Sequence, residues 1–585
     1  MVAFALAHYA ALVLVLFACW GLGRTAFWLI PSHGRASLPP GTALVITVGL
    51  GLVICLLQWL AIAGHLRRGP ILVILALGAG LAVFQWLAAD RKTRLLHELR
   101  REWLQATGLE RFALATLFLA VVSTLTAPLG PPVGWDEVMY HLPHARQWAE
   151  SGHLEVTPWL RYPWFPYNYD LLYAASLVFG QDVFPHLLHA CAGWLTAWLI
   201  FEAGRPHLGR TAAAFAACIW VLLVHGEFDN ATIDMGVTLF VFAACVAFQQ
   251  WRADESRGRA WLAVSAFLLG VALGAKYQTL ATAGFFGLAV LWRDRRPASW
   301  AVAAVALAVP CIYWYARNAV LTGDPFNPVG GRIFGFSDWN AGDLQGQFED
   351  LRSQATWPPA FFWIIPLVLL FKRLRSNPVV QGAMVFCAYS VATWALSSGL
   401  PRYLMPAYPV LILLSVALLR EVCLSSGVSN HSLWKTRPAH VAAYLVLLGL
   451  AWGAAKDFGR DSRHIAATPQ AREAYLEQRI PGYGVLRYMQ QHPQGKTYQL
   501  GVEYAIYYAP RPIWGDWFGP SRYRDFANLG AEDLHQALSR QGFDALVINT
   551  NRFPGVADKP GFGDRFEHVF AQGPVHLFRI KNQRP

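Results

Sequence analysis

Apolar runs near twenty residues long recur from the first residues almost to Phe458, and this repetition restricts the fold more than any other feature. A run of that length crosses hydrocarbon as a helix, because inside lipid every backbone amide must be satisfied within its own segment. About fourteen runs can be counted, with cores near 3–22, 43–63, 71–88, 112–127, 183–201, 211–224, 233–250, 261–275, 279–291, 300–315, 360–370, 379–396, 404–419 and 441–455. Composition agrees: 55% of residues are apolar and only 14% charged, where soluble domains carry about 25%. The expected fold is a polytopic α-helical membrane protein of about fourteen spans. The first run lacks a basic leader and a small-residue cleavage site, so it reads as a retained span.

The net charge of +12 does not point to nucleic acid, because Lys and Arg gather in short loops between apolar runs. With the segment 91–111 placed inside, its Arg91, Lys92, Arg94, Arg100, Arg101 and Arg111 set the sign. The later inside loops then carry Arg205 and Arg210; Arg252, Arg257 and Arg259; Arg293, Arg295 and Arg296; Lys372, Arg373 and Arg375; and Arg420, Lys435 and Arg437. The first three spans fit less well, since Arg67 and Arg68 fall outside while Arg24 and Arg35 fall inside. The N-terminus is expected outside. All eight cysteines lie in or beside spans without CxxC spacing, which indicates neither a disulfide framework nor a zinc site.

The expected domains are three additional N-terminal spans (1–90), a basic cytoplasmic linker (91–111), a catalytic membrane core (112–456) with an outer loop at 129–182, and a soluble outer domain (457–585). In that tail no stretch can span. Residues 483–491 and 531–541 read as amphipathic helices, and 497–502, 545–549 and 575–580 as strands, which together suggest a small α/β domain. It has no glycine fingerprint for a dinucleotide.

The outer face collects the chemistry. Asp136 and Glu137 follow directly on the run 112–127, and carboxylates at a membrane face are costly and usually functional. Either is placed to act as general base on an acceptor hydroxyl; the alternative is an interfacial pair that caps a helix or meets a lysine. Tyr140 and His141 lie one turn on, placed to position substrate or a proton, or to bond structurally. His144 and Arg146 lie within reach of phosphate or sugar. Glu227, Asp229 and Asp234 form a second acidic group that would orient the acceptor, bind a divalent cation such as Mg or Mn, pair with Lys276, or cap a helix. Lys276, Arg317 and Arg402, the last beside Tyr403, are cations at span ends, suited to a phosphate leaving group or to snorkelling at the interface. The aromatics Trp159, Tyr162, Trp164, Phe165, Tyr167 and Tyr169 read chiefly as an interfacial belt.

Three stretches carry a family resemblance beside the Asp-Glu loop: Leu273-Gly274-Ala275-Lys276-Tyr277, the stretch from Trp314 to Pro325 through Arg317-Asn318, and Pro401-Arg402-Tyr403-Leu404-Met405-Pro406. The chain resembles the GT-C superfamily of integral membrane glycosyltransferases, and within it bacterial enzymes related to protein mannosyltransferases and to the lipid A aminoarabinose transferase. The resemblance implies a bacterial inner-membrane enzyme with its C-terminal domain on the periplasmic side. It implies inverting transfer of a sugar from a polyprenyl-phosphate donor to a glycan, lipid or protein acceptor. Asp136 would be the base and Asp229 or Asp234 its assistant, with Lys276, Arg317 and Arg402 holding the phosphate. The competing readings are a transporter or flippase of a lipid-linked sugar, and a polysaccharide polymerase or ligase.

Overall fold

The computed structural model describes residues 1–29, 40–88, 103–253, 259–425, 437–461 and 465–581. The basic residues Arg35, Arg91, Lys92, Arg94, Arg100, Arg101, Arg257 and Lys435, on which part of the orientation reading rests, lie outside these. Every one of the fourteen apolar runs is helical. Among the described residues nine helices are long and apolar enough to cross a membrane: Val2–Leu29, Thr42–Ile62, Arg68–Ala88, Gly108–Leu129, Phe184–Leu208, Asp234–Ala253, Pro297–Thr322, Pro378–Leu396 and Pro401–Val422. Arg210–Leu223, Ala260–Leu273, Thr279–Arg293 and Ala360–Leu370 are apolar but shorter. The run 441–455 lies inside the helix Arg437–Asp461. Length therefore establishes a multi-pass helical protein without establishing fourteen full crossings.

The helices divide by burial. Thr42–Ile62, Phe184–Leu208, Asp234–Ala253 and Pro401–Val422 are mostly enclosed, whereas Val2–Leu29, Arg68–Ala88, Pro297–Thr322 and Pro378–Leu396 expose apolar flanks. In lipid the driving force between helices is close packing rather than water exclusion, so small residues mark the contacts. The first helix fits this. A Cβ on Gly21 would meet the Gly78 carbonyl oxygen at 2.1 Å, and one on Gly49 the Cys19 carbonyl at 1.8 Å. These glycines let three backbones touch. The second helix is then tied to the core at both ends: Glu202 accepts from the Thr42 and Ala43 amides at 3.0 and 3.2 Å, and Gln58 donates to Asn168 at 3.1 Å.

The aromatic segment beyond the first loop is not a lipid-facing belt. Trp164, Tyr167, Tyr169 and Tyr173 are buried, and the chain around Asn168 dips into the bundle. Irregular backbone at that depth must find its partners in protein. Asn168 supplies them: its amide donates to Gly274 O at 2.8 Å, its side chain donates to Pro310 O at 2.8 Å, and its oxygen accepts from Trp314 at 2.7 Å. Tyr162 holds a left-handed φ of 59°, which costs a tyrosine about 1–3 kcal/mol and needs surrounding contacts to persist.

The tail folds as a five-stranded sheet, order β2-β1-β3-β5-β4, with β1 (Thr497–Leu500), β2 (Ile513–Trp514), β3 (Ala545–Asn549), β4 (Phe566–Gln572) and β5 (Val575–Ile580). β1 runs parallel to β2 and β3, while β5 is antiparallel to β3 and β4. Helices Tyr483–Gln491 and Ala531–Arg540 cover it as their amphipathic pattern requires. β2 and β4 escape the sequence because one is two residues long and the other half-exposed.

This domain packs against the loops flanking the helix Leu142–Ser151 and against the helix Ala341–Ser353. Arg161 donates from Nε to Asp516 at 2.8 Å, Tyr508 donates to Pro132 O at 2.7 Å, Arg146 donates to Tyr507 O at 2.8 Å, and Arg522 donates to Asp343 at 2.8 Å. The segments assigned to one face from charge patterning thus meet in space.

Candidate active site

Asp136 stands at the entrance to one turn of π-helix, Glu137–His141, which opens the helix Leu142–Ser151. Such widened turns recur at functional sites. Its carboxylate is largely covered, and Oδ2 lies 2.5 Å from Nη1 of Arg402. That contact is electrostatic but poorly aligned, so Oδ2 is buried without a hydrogen-bond donor. Arg402 reaches it from the turn between two outer helix ends, where Gly399 at φ 69° reverses the chain ahead of Pro401.

Lys276 lies between the helices Ala260–Leu273 and Thr279–Arg293. Its ammonium donates to Asp234 Oδ1 at 2.5 Å and sits 4.5 Å from the centre of the Tyr403 ring. Burial draws the Lys276 amine below its usual value, and the attraction of Asp234 offsets only part of this. Asp234 begins the helix Asp234–Ala253, where the helix dipole favours an anion. The Tyr140 phenol is raised well above its usual range, first by burial and then by the Asp136 charge. Asp136, Tyr140, Asp234, Lys276, Arg402 and Tyr403 therefore form one cluster of two acids, two cations and two phenols at one end of the bundle.

Four sequence expectations change. Glu137 is wholly buried and its acceptor capacity is used. Oε1 accepts from the Val133 and Gly134 amides at 2.7 and 2.5 Å; Oε2 accepts from Ala231 N at 2.5 Å and lies 2.8 Å from His186 Nε2. Burial pushes this carboxyl up, but His186 and the amides outweigh it and hold the group below its ordinary value of 4.5. An acid so committed cannot take a substrate proton, so Glu137 is a staple between two loops rather than a catalytic group. Arg317 lies 5.1 and 5.7 Å from the ring centres of Trp314 and Trp164 and donates to Asn318 Oδ1 at 2.9 Å. Among the described residues no ion pair joins it to Asp136 or Asp234. Asp229 is exposed and lies on the His186 and Tyr475 side, so Asp234 is the second acid of the cluster. His144 and Arg146 serve the loop and the domain contact: His144 Nε2 bonds Arg161 O at 2.9 Å, and burial lowers its pKa to about 3, so it is neutral.

His141 Nδ1 lies 2.7 Å from Asp170, both buried. Burial raises the Asp170 carboxyl despite the histidine. Asp170, His186 and His189 were missed by sequence reasoning because each lies within an apolar or aromatic run. His189 accepts from Met235 N at 3.1 Å and bonds Glu227 O at 3.1 Å, which fixes the turn before Asp234. Asn318 and Tyr277, from two of the resemblance motifs, are also scaffold: Asn318 donates to Trp164 O at 2.8 Å and Tyr277 to Asn327 O at 3.0 Å. Among the described residues no group of three or more His, Cys, Asp or Glu is arranged to hold a metal ion, and the two cluster acids are already matched with cations.

Residues 471–579 match the family described as SF2091: SF2091/S2213. The chain is 26% identical to the uncharacterized Shigella flexneri protein SF2092/S2214 over 152 residues, 24% of this chain and 83% of that protein. It is 32% identical to the uncharacterized Shigella flexneri protein SF2093/S2215 over 148 residues, 24% of this chain and 72% of that protein. Among solved structures it is similar to ArnT from Cupriavidus metallidurans bound to undecaprenyl phosphate, at 17% identity and a TM-score of 0.49, covering 80% of this chain and 97% of that one. It is also similar to the Archaeoglobus fulgidus oligosaccharyltransferase tethered with an acceptor peptide, at 10% identity and a TM-score of 0.49, covering 82% and 75%. By its match to SF2093/S2215, with the polytopic core and C-terminal sheet domain described above, the chain belongs to the family of that Shigella protein.

Proposed function

We propose that the protein is an inverting glycosyltransferase that moves a sugar from a polyprenyl-phosphate donor to an acceptor hydroxyl on the outer face of a bacterial cytoplasmic membrane. The observation that carries this reading is the cluster itself, in which Asp136 meets Arg402 and Asp234 meets Lys276. A lone buried carboxylate or ammonium is costly, and here each is balanced by its opposite. A phosphate entering the cluster competes for both cations. Arg402 offers it a bidentate fork and Lys276 a point charge, and Asp136 is relieved of its counter-ion as the phosphate binds.

The transfer is a single displacement at the anomeric carbon. The acceptor oxygen forms a bond to that carbon while the carbon–oxygen bond to phosphate breaks. Asp136 takes the acceptor proton, and polyprenyl phosphate leaves with the bonding electrons, held by Arg402 and Lys276. The leaving group is already an anion of low basicity, so no second acid is required, unlike glycoside hydrolysis with its paired carboxyls. The prenyl chain lies along the apolar flanks of the outer helices.

The test is incubation of the purified protein with a labelled polyprenyl-phosphate sugar. Release of the sugar from phosphate by the native protein, its loss in Asp136→Asn, and a weakened donor KM in Arg402→Ala are expected. Movement of intact donor across vesicles without cleavage would establish the transporter reading instead.

A further inference from the structure

The C-terminal domain carries an open groove of about 270 Å³, lined by Trp517, Tyr523, Arg524, Asn528, Arg552 and Phe553. None of these residues belongs to the Asp136 cluster, yet the groove is joined to it. Arg552 stacks 5.2 Å from the centre of the Trp135 ring, and Trp135 directly precedes Asp136. Trp135 and Trp517 are 47% and 46% exposed. Neither indole lies on an apolar helix flank, and both are fixed in place. Trp517 donates to Glu503 Oε1 at 3.0 Å and stacks on Phe553 at 5.8 Å; Trp135 packs against Tyr504 at 6.0 Å. They are flat, wet, preorganised platforms.

The charges select the ligand. The groove arginines are already matched: Arg552 pairs with Glu503 at 2.7 Å, and Arg524 shares Asp343 (3.1 Å) and Asp525 (4.0 Å) with Arg522. An anionic ligand would find no net positive charge to bind. Among the described residues Arg552 reaches its two acceptors, Glu503 and Gly501 O, through Nη1, and a guanidinium carries five N–H donors. Aromatic faces beside spare N–H donors and the Asn528 amide match a ring with an apolar face and hydroxyls at its edge. The volume falls at the small end of ligand pockets, which suits about one sugar unit.

The geometry points to this groove as the binding site for a neutral glycan acceptor, with Trp517 as its stacking platform and Arg552 linking it to Trp135 at the reaction centre. This rests on the transferase reading above and gives it an acceptor class. Glu503 joins the parts, because it accepts from Trp517 and pairs with Arg552 at the same oxygen.

The experiment is ligand-observed saturation-transfer NMR on the full-length protein in nanodiscs, with a panel of neutral trisaccharides that includes tri-N-acetylglucosamine, and with trigalacturonate as the anionic probe. Saturation transfer to a neutral trisaccharide is expected, at least about tenfold weaker in Trp517→Ala and retained in Trp517→Tyr, which keeps a stacking face and separates lost binding from lost folding. Preference for trigalacturonate, equal binding by Trp517→Ala, or silence across the neutral panel would each overturn the proposal. Donor cleavage is assayed in parallel on the same samples. A protein that binds the glycan but never cleaves the donor sinks the transferase reading alone, whereas one that cleaves the donor and ignores the glycans sinks this site alone.

Discussion

Replacing Glu137 with Gln gives the sharpest test of how the site is held. Each carboxylate oxygen now serves two donors, Oε1 the amides of Val133 and Gly134, and Oε2 the amide of Ala231 and the His186 ring. The amide keeps the shape but turns one oxygen into a donor. The least costly arrangement leaves the remaining oxygen on Val133 and Gly134 and points the new NH2 at a neutral His186. Ala231 N then faces a donor. An unsatisfied buried group costs about 1–3 kcal/mol, and each retained bond weakens by about 1 kcal/mol when its acceptor loses its charge. The sum, about 3–5 kcal/mol, matches what removal of one partner from a buried ion pair costs. At 1.4 kcal/mol per tenfold, the opening equilibrium of these loops should rise by roughly a hundredfold to a few thousandfold. Hydrogen exchange by mass spectrometry on peptides covering 133–134 and 231 reads this directly, with β3 as an internal reference that should not move. Turnover should fall as well, because Asp136 is carried on the same turn. Unchanged exchange at Ala231 together with lost turnover would refute the staple and return Glu137 to the chemistry.

Asp136→Asn should behave in the opposite way, with turnover down by about 10²–10⁴, the usual contribution of a general base, and native exchange at Ala231. Acid should mimic the Glu137 change: the folded carboxyl lies below its ordinary 4.5, so its stabilisation is complete above that value and is lost as pH falls through the folded one. Ala231 protection should therefore drop as pH falls below about 5, with no such drop in Glu137→Gln. Arg161→Ala leaves the largely covered Asp516 without its cation, and the domain should loosen by up to about 3 kcal/mol, seen as faster exchange through 513–523; an unaltered exchange pattern would show that the other contacts suffice.

The membrane architecture was legible because helix length and loop charge are one-dimensional signals. A run of twenty apolar residues means the same thing wherever it lies, and the tail strands at 497–500, 545–549 and 575–580 announced themselves by composition. The convergence of Asp136, Asp234, Lys276 and Arg402 was legible for a related reason. Charges at span ends on one face of a bundle have little space in which to avoid one another. Arg317 shows the limit: it occupies an equivalent span end, but its partners are the faces of Trp164 and Trp314, and nothing in the spacing of those residues reveals a cation–π slot. The aromatic segment failed for the opposite reason. Trp and Tyr at a boundary fit either lipid headgroups or a protein interior, and only the hydrogen bonds of Asn168 decide between them.

Asp136 and Glu137 are chemically close and adjacent, yet they do opposite work, and the cause is directional. Successive residues on a helical turn leave it at widely different angles, so one carboxylate faces the Arg402 turn while the other faces the helix Phe184–Leu208 and the Ala231 loop. Glu137 meets backbone amides and a histidine that need an anion to complete them, and becomes rigid and unavailable. Asp136 meets a single arginine in a misaligned contact that leaves one oxygen without a donor. In the proposed mechanism the staple is what would make the base usable, since a carboxylate on an unanchored loop would drift beyond the roughly 3 Å reach that proton transfer demands. The pair is better understood as an anchor and a tool on one turn than as two candidates for the same task.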